Sequence, residues 1–187
     1  MAQARTKNGM GDGVDAIALL KADHRAVAAL FEKFEATKAH GAKAKLAEQI
    51  CIELCIHTAI EEELFYPALS GKVESDMLDE AYVEHDGAKM LIAEIMASAP
   101  GEDFFDAKVK VLSEDITHHV KEEEQRDGLF SRAKKTDVDM MTLGARMQAR
   151  KSELKALYKR SGPPTPVTRS MLGAKLKTGS PVGHAGQ

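Results

Sequence analysis

Two short stretches of the chain carry a histidine followed four residues later by a glutamate. His57 precedes Glu61 in the run HTAIEEELFYP, and His119 precedes Glu123 in the run HHVKEEE. If each stretch is helical, the imidazole and the carboxylate project from the same helix face, one turn apart. An imidazole and a carboxylate held side by side can bind a metal ion. Each stretch is therefore a candidate for part of a metal site.

Two further histidines fall on the apolar faces of predicted helices. Apolar residues recur at spacings of three and four from Asp15 onward, and His24 lies in phase with them. The same spacing after Ser75 places His85 on the apolar face of another helix. A single histidine on such a face is more often a core residue than a ligand. One such histidine on each of four helices favours a shared site.

Four long helices are predicted to position these side chains. They begin near Asp15, Ala42, Ser75 and Asp103, and Gly-containing or Pro-containing turns separate them. Short connections favour an all-α, up-down-up-down antiparallel four-helix bundle, in which the inward faces meet. The predicted metal ligands are then the residues at the centre of the bundle: His24, His57, Glu61, His85, His119 and Glu123.

The two glutamates argue for a cation at this centre. Burying Glu61 and Glu123 without a partner would cost several kcal/mol for each charge, and neither has a Lys or Arg on its own helix face. By helical phase, Glu62 and Glu63 rotate away from Glu61, which predicts a solvated face for them. Imidazole and carboxylate ligands suit iron, manganese or zinc better than calcium or magnesium. Six ligands favour two metal ions bridged by carboxylates over one tetrahedral zinc.

The length and composition predict one helical domain with additional segments. The chain has 187 residues, no Trp and many Ala, Glu, Lys, Leu and Met, which favours helices around a single core. We expect a disordered N-terminus at residues 1–13, the bundle at 14–135 and an amphipathic fifth helix at 136–160. The fifth helix is predicted to pack on the outside of the bundle or against a protein partner. Residues 161–187 are rich in Pro, Gly and Ser and predict a basic, disordered tail.

Charge, cysteine use and hydropathy exclude several classes of function. The tail holds three basic residues, so the other 160 residues carry all 29 acidic residues against 23 basic ones, a net charge of −6. An acidic body gives no reason to expect nucleic-acid binding. Cys51 and Cys55 match neither a disulfide framework nor a CxxC motif. No apolar run approaches the ~18 residues needed to span a membrane, so we expect a cytoplasmic protein with no membrane partner.

The combined order of these motifs resembles the hemerythrin-like, HHE cation-binding family. The resemblance rests on the leading Asp23-His24, HTAIEEELFYPAL, the pair Glu84-His85 and HHVKEEE, and covers roughly residues 14–135. It implies a non-heme di-iron site inside a four-helix bundle, with the six central residues as ligands. Iron as the metal, and O2, peroxide or NO as the small ligand, are implied by this resemblance alone.

The sequence departs from the oxygen-carrying members of that family at two points. Those proteins have a second histidine four residues after the third-helix histidine, where this chain has Lys89. This difference disfavours simple reversible oxygen transport, and Lys89 is predicted either to reach a metal-bound anion or to extend toward the bundle end. Oxygen carriers also use an Asp five residues after the last histidine, so the fourth-helix carboxylate stays open between Glu122 and Glu124. His118 with Glu122 is an alternative to His119 with Glu123, although exposure on the polar side is the simpler account of His118.

Three classes of function stay open at this point. The first is a di-iron protein that binds or senses a small molecule, and the second is an enzyme that degrades peroxide or reduces O2. The third is a regulatory module in which the metal acts as a switch and the fifth helix contacts a partner. A metal-free structural bundle is the simplest alternative to all three.

Overall fold

The computed structural model describes residues 13–173, 175–177 and 179 of the chain. Every named secondary-structure element in this part is a helix. The predicted disorder of residues 1–13 thus concerns a segment outside the described residues, apart from residue 13 itself. A π-helical turn at Glu61–Phe65 joins the second helix to the third. In chain order the helices are α1 (Ala16–Ala36), α2 (His40–Ile60), α3 (Tyr66–Leu69), α4 (Ser75–Met96), α5 (Phe105–Glu124), α6 (Leu129–Ala133) and α7 (Met140–Ser161).

Four of the long helices enclose the core. Helix α1 packs along α2, α4 packs along α5, and the two pairs meet through α2 with α4 and α1 with α5. The predicted all-α helical bundle is confirmed, while the up-down-up-down order remains a prediction from the short connections. No helix among the described residues is long and apolar enough to cross a bilayer.

Helix α7 packs on the outside of the bundle, against α1 and α2. It begins one turn later than Thr136, because Asp139 caps it by accepting hydrogen bonds from the backbone N–H groups of Met141 and Thr142. Gly144 makes the close approach possible, since a Cβ atom there would lie 2.0 Å from the carbonyl oxygen of Val14. The apolar face of α7 is therefore used within the chain.

The chain continues beyond α7 without helix or strand, but part of it is fixed against the bundle. Backbone N–H groups of Arg169, Ser170 and Met171 donate hydrogen bonds to Asp86 on α4. At these residues the structure departs from the expectation of a disordered tail. The sequence pattern missed the contact because its acceptor, Asp86, is a single buried carboxylate about eighty residues earlier in the chain.

Candidate metal centre

The six predicted site residues converge at the centre of the bundle in two groups that share one residue. His24, His57, Glu61 and Glu123 form the first group, and within it the candidate ligand atoms all lie within 4.8 Å of one another. Glu61 also forms the second group with His85 and His119. All six residues are buried. The shared position of Glu61 is that of a carboxylate able to bridge two cations.

The spacing of the imidazole nitrogens fits a metal ion in each group. The Nε2 atoms of His24 and His57 are 3.2 Å apart, as are the Nε2 atoms of His85 and His119. Ligands held about 2.1 Å from one metal ion at right angles to each other are separated by about 3 Å. Each histidine pair therefore presents its nitrogens at the spacing of two ligands of one ion.

Three of the four carboxylate oxygens at the centre lack hydrogen-bond partners among the residues that the structure describes. Both oxygens of Glu61 and Oε2 of Glu123 are buried without a hydrogen bond. Oε2 of Glu61 lies 3.1 Å from His57 Nε2 and 3.3 Å from His85 Nε2, but these contacts lack hydrogen-bond geometry. Buried polar atoms are almost always paired, and a bound cation would satisfy these oxygens. The residues present thus fit a pair of metal ions.

A carboxylate stands behind each histidine, on the side away from the centre. Oxygens of Glu124, Glu62 and Glu84 lie 2.7, 3.1 and 2.7 Å from the Nδ1 atoms of His24, His85 and His119, respectively. Asp23 lies 3.8 Å from His57 Nδ1, an ion-pair distance. Metal-binding histidines usually donate their second N–H to such a carboxylate, which fixes the tautomer and turns the other nitrogen toward the metal. Three such hydrogen bonds, with a fourth carboxylate at ion-pair distance from His57, favour a metal site over four ordinary core histidines.

The pKa values of the two central carboxyl groups shift in opposite directions. Burial, together with the nearby Glu123, raises the pKa of Glu61 well above its ordinary value. Burial also disfavours the charged form of Glu123, but His119 and His24 outweigh it and lower its pKa. Burial lowers the pKa of His57 to about 4, which keeps its imidazole neutral and available as a ligand. Binding of a cation would therefore displace a proton from Glu61.

A tyrosine that the sequence analysis did not select also faces the centre. The hydroxyl of Tyr66 lies 3.2 Å from His85 Nε2 and donates a 3.3 Å hydrogen bond to Oε1 of Glu123. The side chain is buried, and burial raises the pKa of its phenol well above the ordinary value. Tyr66 therefore keeps its proton at the hydroxyl oxygen, within reach of both groups.

The π-helical turn explains why Tyr66 was missed. The backbone N–H of Tyr66 donates to the carbonyl of Glu61, a spacing of five residues, where an α-helix has four. This wider turn carries Tyr66 to the same side as Glu61, whereas a uniform 3.6-residue period does not. Pro67, which has no N–H to continue an α-helical ladder, was the available signal for such a perturbation.

The structure also corrects the prediction that Glu62 is solvated. Glu62 is buried, and its Oε1 lies 3.1 Å from His85 Nδ1 and 2.6 Å from the ammonium of Lys89. The prediction holds for Glu63, which is exposed enough to pair with Arg150 of α7. Burial disfavours the charged form of Glu62, but its partners, led by His85 and Lys89, lower its pKa to about 2. Glu62 is thus an ionised support for His85.

Lys89 does not reach toward the centre or toward the bundle end. Its ammonium is buried between Glu62 and Asp86, at 2.6 and 3.2 Å from their oxygens. The structure therefore supports neither predicted role of Lys89. Lys89 instead neutralises Glu62, the carboxylate behind His85.

The alternative ligand pair lies outside the centre. His118 is exposed, and its Nε2 lies 3.2 Å from Glu122 and 3.4 Å from Glu84. His119 and Glu123 are buried and contact the central residues instead. The geometry therefore favours His119 with Glu123 over His118 with Glu122.

Comparison with known proteins gives a family and a similar fold. The profile of the family described as Hemerythrin HHE cation binding domain matches residues 15–128. The crystal structure of an HHE cation-binding domain-containing protein from Mycobacterium kansasii superposes with a TM-score of 0.67 and 28% sequence identity, covering 79% of this chain and 93% of that one. A DNA nickase from Nostoc sp. (strain PCC 7120) is 27% identical over 106 residues. That alignment spans 57% of this chain but 30% of the nickase.

The profile covers more than half of the chain and includes every residue of the two central groups. Helix α7 and the segment after it lie beyond the match. The resemblance inferred from the motifs is confirmed, and the fold agrees with it. The chain belongs to the hemerythrin HHE cation-binding domain family.

Proposed function

We propose that this protein binds two iron ions at the bundle centre and uses them to bind, react with or sense a small molecule such as O2, peroxide or NO. The observation that carries the proposal is the position of Glu61, which is buried, lacks hydrogen bonds and belongs to both ligand groups. His24, His57 and Glu123 would complete one ion's ligands, and His85 and His119 those of the other. The four imidazoles favour a transition metal over calcium or magnesium.

Bound iron would supply redox chemistry and open positions for a small ligand. The chain's own residues hold the imidazoles in orientation through the four carboxylates behind them. Tyr66 keeps a proton at its hydroxyl oxygen, from which it can be donated to a ligand at the centre.

Two surface clefts end at residues of the centre, one on each side. The first is lined by His24 and has a volume of about 250 Å³, and the second is lined by His119 and Glu123 and has a volume of about 100 Å³. Since one water molecule occupies about 30 Å³, the second cleft suits diatomic molecules and peroxide better than organic substrates. The second cleft therefore favours a small ligand.

A peroxide-degrading enzyme is the second candidate, and the buried phenol of Tyr66 beside both ligand groups favours it. Multiple-turnover loss of peroxide in proportion to bound iron would support this candidate. Loss of that turnover in Tyr66→Phe, with iron content unchanged, would show that the phenol donates a proton in the reaction. Turnover that is equal in Tyr66→Phe and the wild type would remove Tyr66 from the reaction.

We also propose that the protein works in a reducing compartment such as the cytoplasm. Cys51 and Cys55 are buried free thiols rather than a disulfide.

The test of the proposed function is anaerobic iron loading followed by exposure to O2, with iron content and visible absorption read together. We expect about two ions per chain in the wild type, as the two ligand groups require. His119→Ala should lower the iron content, and the matched variant His118→Ala should leave it unchanged because His118 lies outside the centre. Equal iron uptake by the wild type and a His57→Ala, Glu61→Ala variant would refute the proposal.

A further inference from the structure

The segment after α7 occupies a defined place on α4, next to the centre. Oδ2 of the fully buried Asp86 accepts three backbone hydrogen bonds, from Arg169 at 2.8 Å, Ser170 at 2.6 Å and Met171 at 3.1 Å. The Ser170 hydroxyl donates a fourth at 2.7 Å. Three successive N–H groups aimed at one oxygen form a concave anion-binding arrangement. We call residues 168–171 the C-terminal strap.

The strap has its own local structure. The hydroxyl of Thr168 donates a 2.9 Å hydrogen bond to the carbonyl of Met171, which closes the turn that points the N–H groups at Asp86. Hydrogen bonds to an ionised acceptor are stronger than neutral ones, and the four on Asp86 hold its pKa well below the usual range against the effect of burial. The strap is therefore bound to Asp86 in one defined arrangement.

The strap also reaches the carboxylate that supports His85. Arg169 Nε donates a 2.6 Å hydrogen bond to Oε2 of Glu62, while Oε1 of Glu62 contacts Lys89 and His85 Nδ1. Each oxygen of Glu62 thus has its own cationic partner. Without Arg169, the two buried carboxylates Glu62 and Asp86 would share the single ammonium of Lys89. A buried carboxylate with too little positive charge is expected to turn toward water.

We propose that the C-terminal strap is docked in the working protein and that Arg169 is a positioning residue, which acts through Glu62 to hold His85 in orientation. Residue 169 lies outside the segment that matches the family profile, so the support is a feature of this chain's own extension. The effect on a bound metal rests on the proposed function, whereas the effect on His85 can be measured in the metal-free protein.

The first measurement uses the metal-free, full-length chain. In the wild type, the ¹⁵N shifts of His85 should show Nδ1 protonated and hydrogen-bonded to Glu62. Arg169→Ala should move these shifts toward a mixture of tautomers, and His119, which faces Glu84, should not change. Arg169→Lys should restore the wild-type shifts in part, because it keeps the charge but lacks the planar donor group. The control Lys175→Ala should match the wild type. Identical His85 shifts in Arg169→Ala and the wild type would overturn the proposal.

Docking itself is tested by limited proteolysis with trypsin. The bond after Arg169 should be cut at least about tenfold faster in Asp86→Asn, because a neutral amide binds the strap's N–H groups less strongly. Cleavage after Lys175 is the internal control and should not change. Equal cleavage after Arg169 in Asp86→Asn and the wild type would show that the strap is not held by Asp86.

The iron-loaded protein gives the final readout. In Arg169→Ala, a chelator should remove the ion held by His85 and His119 about 10-fold faster than in the wild type. This is the lower end of the range expected when a histidine ligand loses its outer hydrogen-bond support. The other ion should be lost at an unchanged rate, because the strap's hydrogen bonds go to Asp86 and Glu62, and Glu62 supports His85 rather than His24 or His57. If the wild type binds no iron, the proposed function fails, and the His85 shifts still decide the role of Arg169. Equal loss rates for both ions in the variant and the wild type would overturn the link to the metal.

Discussion

The molecule contains two similar halves, and their difference shows what helix α7 contributes. In each half an acidic residue precedes a histidine, and a later His-x-x-x-Glu-Glu run follows. The two sets are Asp23, His24, His57, Glu61 and Glu62 in the first half and Glu84, His85, His119, Glu123 and Glu124 in the second. In both halves the outer acidic residues support histidines on other helices, so each half supplies ligands and supports in the same order.

The halves differ on their outer surfaces. Helix α7 covers the first half, where Ile56 and Ile60 on α2 are buried and Glu53, on the same face, pairs with Lys155 of α7. The corresponding positions, one residue before and three residues after the second-half histidine, are His118, exposed, and Glu122, partly buried. A helix enclosed on several sides needs apolar residues around its circumference, whereas α5 needs only one apolar stripe. The additional apolar residues of α2 therefore reflect its contact with α7.

The rings next to the histidines also differ. Phe130 stacks on His24 with ring centroids 5.7 Å apart, and Tyr66 packs on His85 at 5.4 Å. Both rings exclude water from an imidazole, but only Tyr66 adds a hydroxyl. The two proposed ions therefore have similar ligands and different neighbours.

The largest expected effect concerns the carboxylate that both halves share. Glu61→Gln should abolish metal binding at both positions, because Glu61 belongs to both groups, whereas Glu123→Gln should leave the ion held by His85 and His119. Metal content after loading and desalting distinguishes the two variants. Equal loss in both would mean that the halves do not share Glu61 in the way the geometry indicates.

The same substitution should have the opposite effect on the metal-free protein. The oxygens of Glu61 are buried without hydrogen bonds, and leaving such groups unpaired costs about 1–3 kcal/mol each. Because burial raises the pKa of Glu61, the folded metal-free protein holds a proton there at neutral pH that the unfolded chain has released, which costs stability. Glu61→Gln removes this cost and should raise the midpoint of thermal unfolding of the metal-free form. In the metal-loaded form the wild type should be the more stable protein, since binding to the folded state adds stability. A metal-free variant that unfolds at a lower temperature than the wild type would contradict this account.

The second prediction concerns two buried thiols on α2, in the first half. Burial raises the pKa of the Cys51 thiol to about 12, with Cys55 adding to the shift, and burial raises that of Cys55 to about 11. The thiolate fraction of Cys51 near pH 8 should be about a thousandfold below that of a free cysteine, since each pKa unit is a factor of ten. Alkylation by iodoacetamide should be slow in the native protein and fast after unfolding.

This raised pKa also has a consequence for stability. The folded state retains the thiol proton to higher pH than the unfolded state does, so the thiols reduce stability as pH rises above about 9. Replacing Cys51 by Ala should remove this part of the alkaline loss of stability, measured by urea unfolding at pH 8 and pH 10. An unchanged difference between the two pH values would show that Cys51 is not the group responsible.

The third prediction tests the contact that distinguishes the halves. Leu154→Ala on α7 removes a buried side chain and should cost about 2–4 kcal/mol of unfolding free energy. The matched variant Leu157→Ala removes an exposed leucine one turn later on the same helix and should cost less than about 0.5 kcal/mol. Similar costs at the two positions, measured by urea unfolding, would mean that α7 is not packed against the first half.

Regular helical spacing made most of the fold and the central residues predictable. His24 and His85 were placed by apolar periodicity, and the ligand pairs by an i, i+4 spacing that holds wherever the helix is regular. The analysis missed Tyr66, because the π-helical turn breaks that period. The prediction for Glu62 failed because its burial depends on His85 and Lys89 of another helix, which the phase of its own helix does not reveal. The docking of Arg169 on Glu62 could not be predicted either, because a contact across more than a hundred residues leaves no periodic signal.

The smallest expected effect concerns the carboxylates behind the two downstream histidines. Asp23 supports His57 and is buried beside Lys151 of α7, whereas Glu84 supports His119 and is partly exposed. Asp23→Asn and Glu84→Gln should each weaken metal binding by about 10–100-fold, the usual range for outer partners of histidine ligands. We expect Asp23→Asn toward the upper end, because water cannot easily replace a buried carboxylate, while it can reach His119 in the Glu84 variant. Competitive titration against a chromophoric chelator measures both affinities. A larger loss of affinity in Glu84→Gln than in Asp23→Asn would show that α7 covers the first half without strengthening its metal binding.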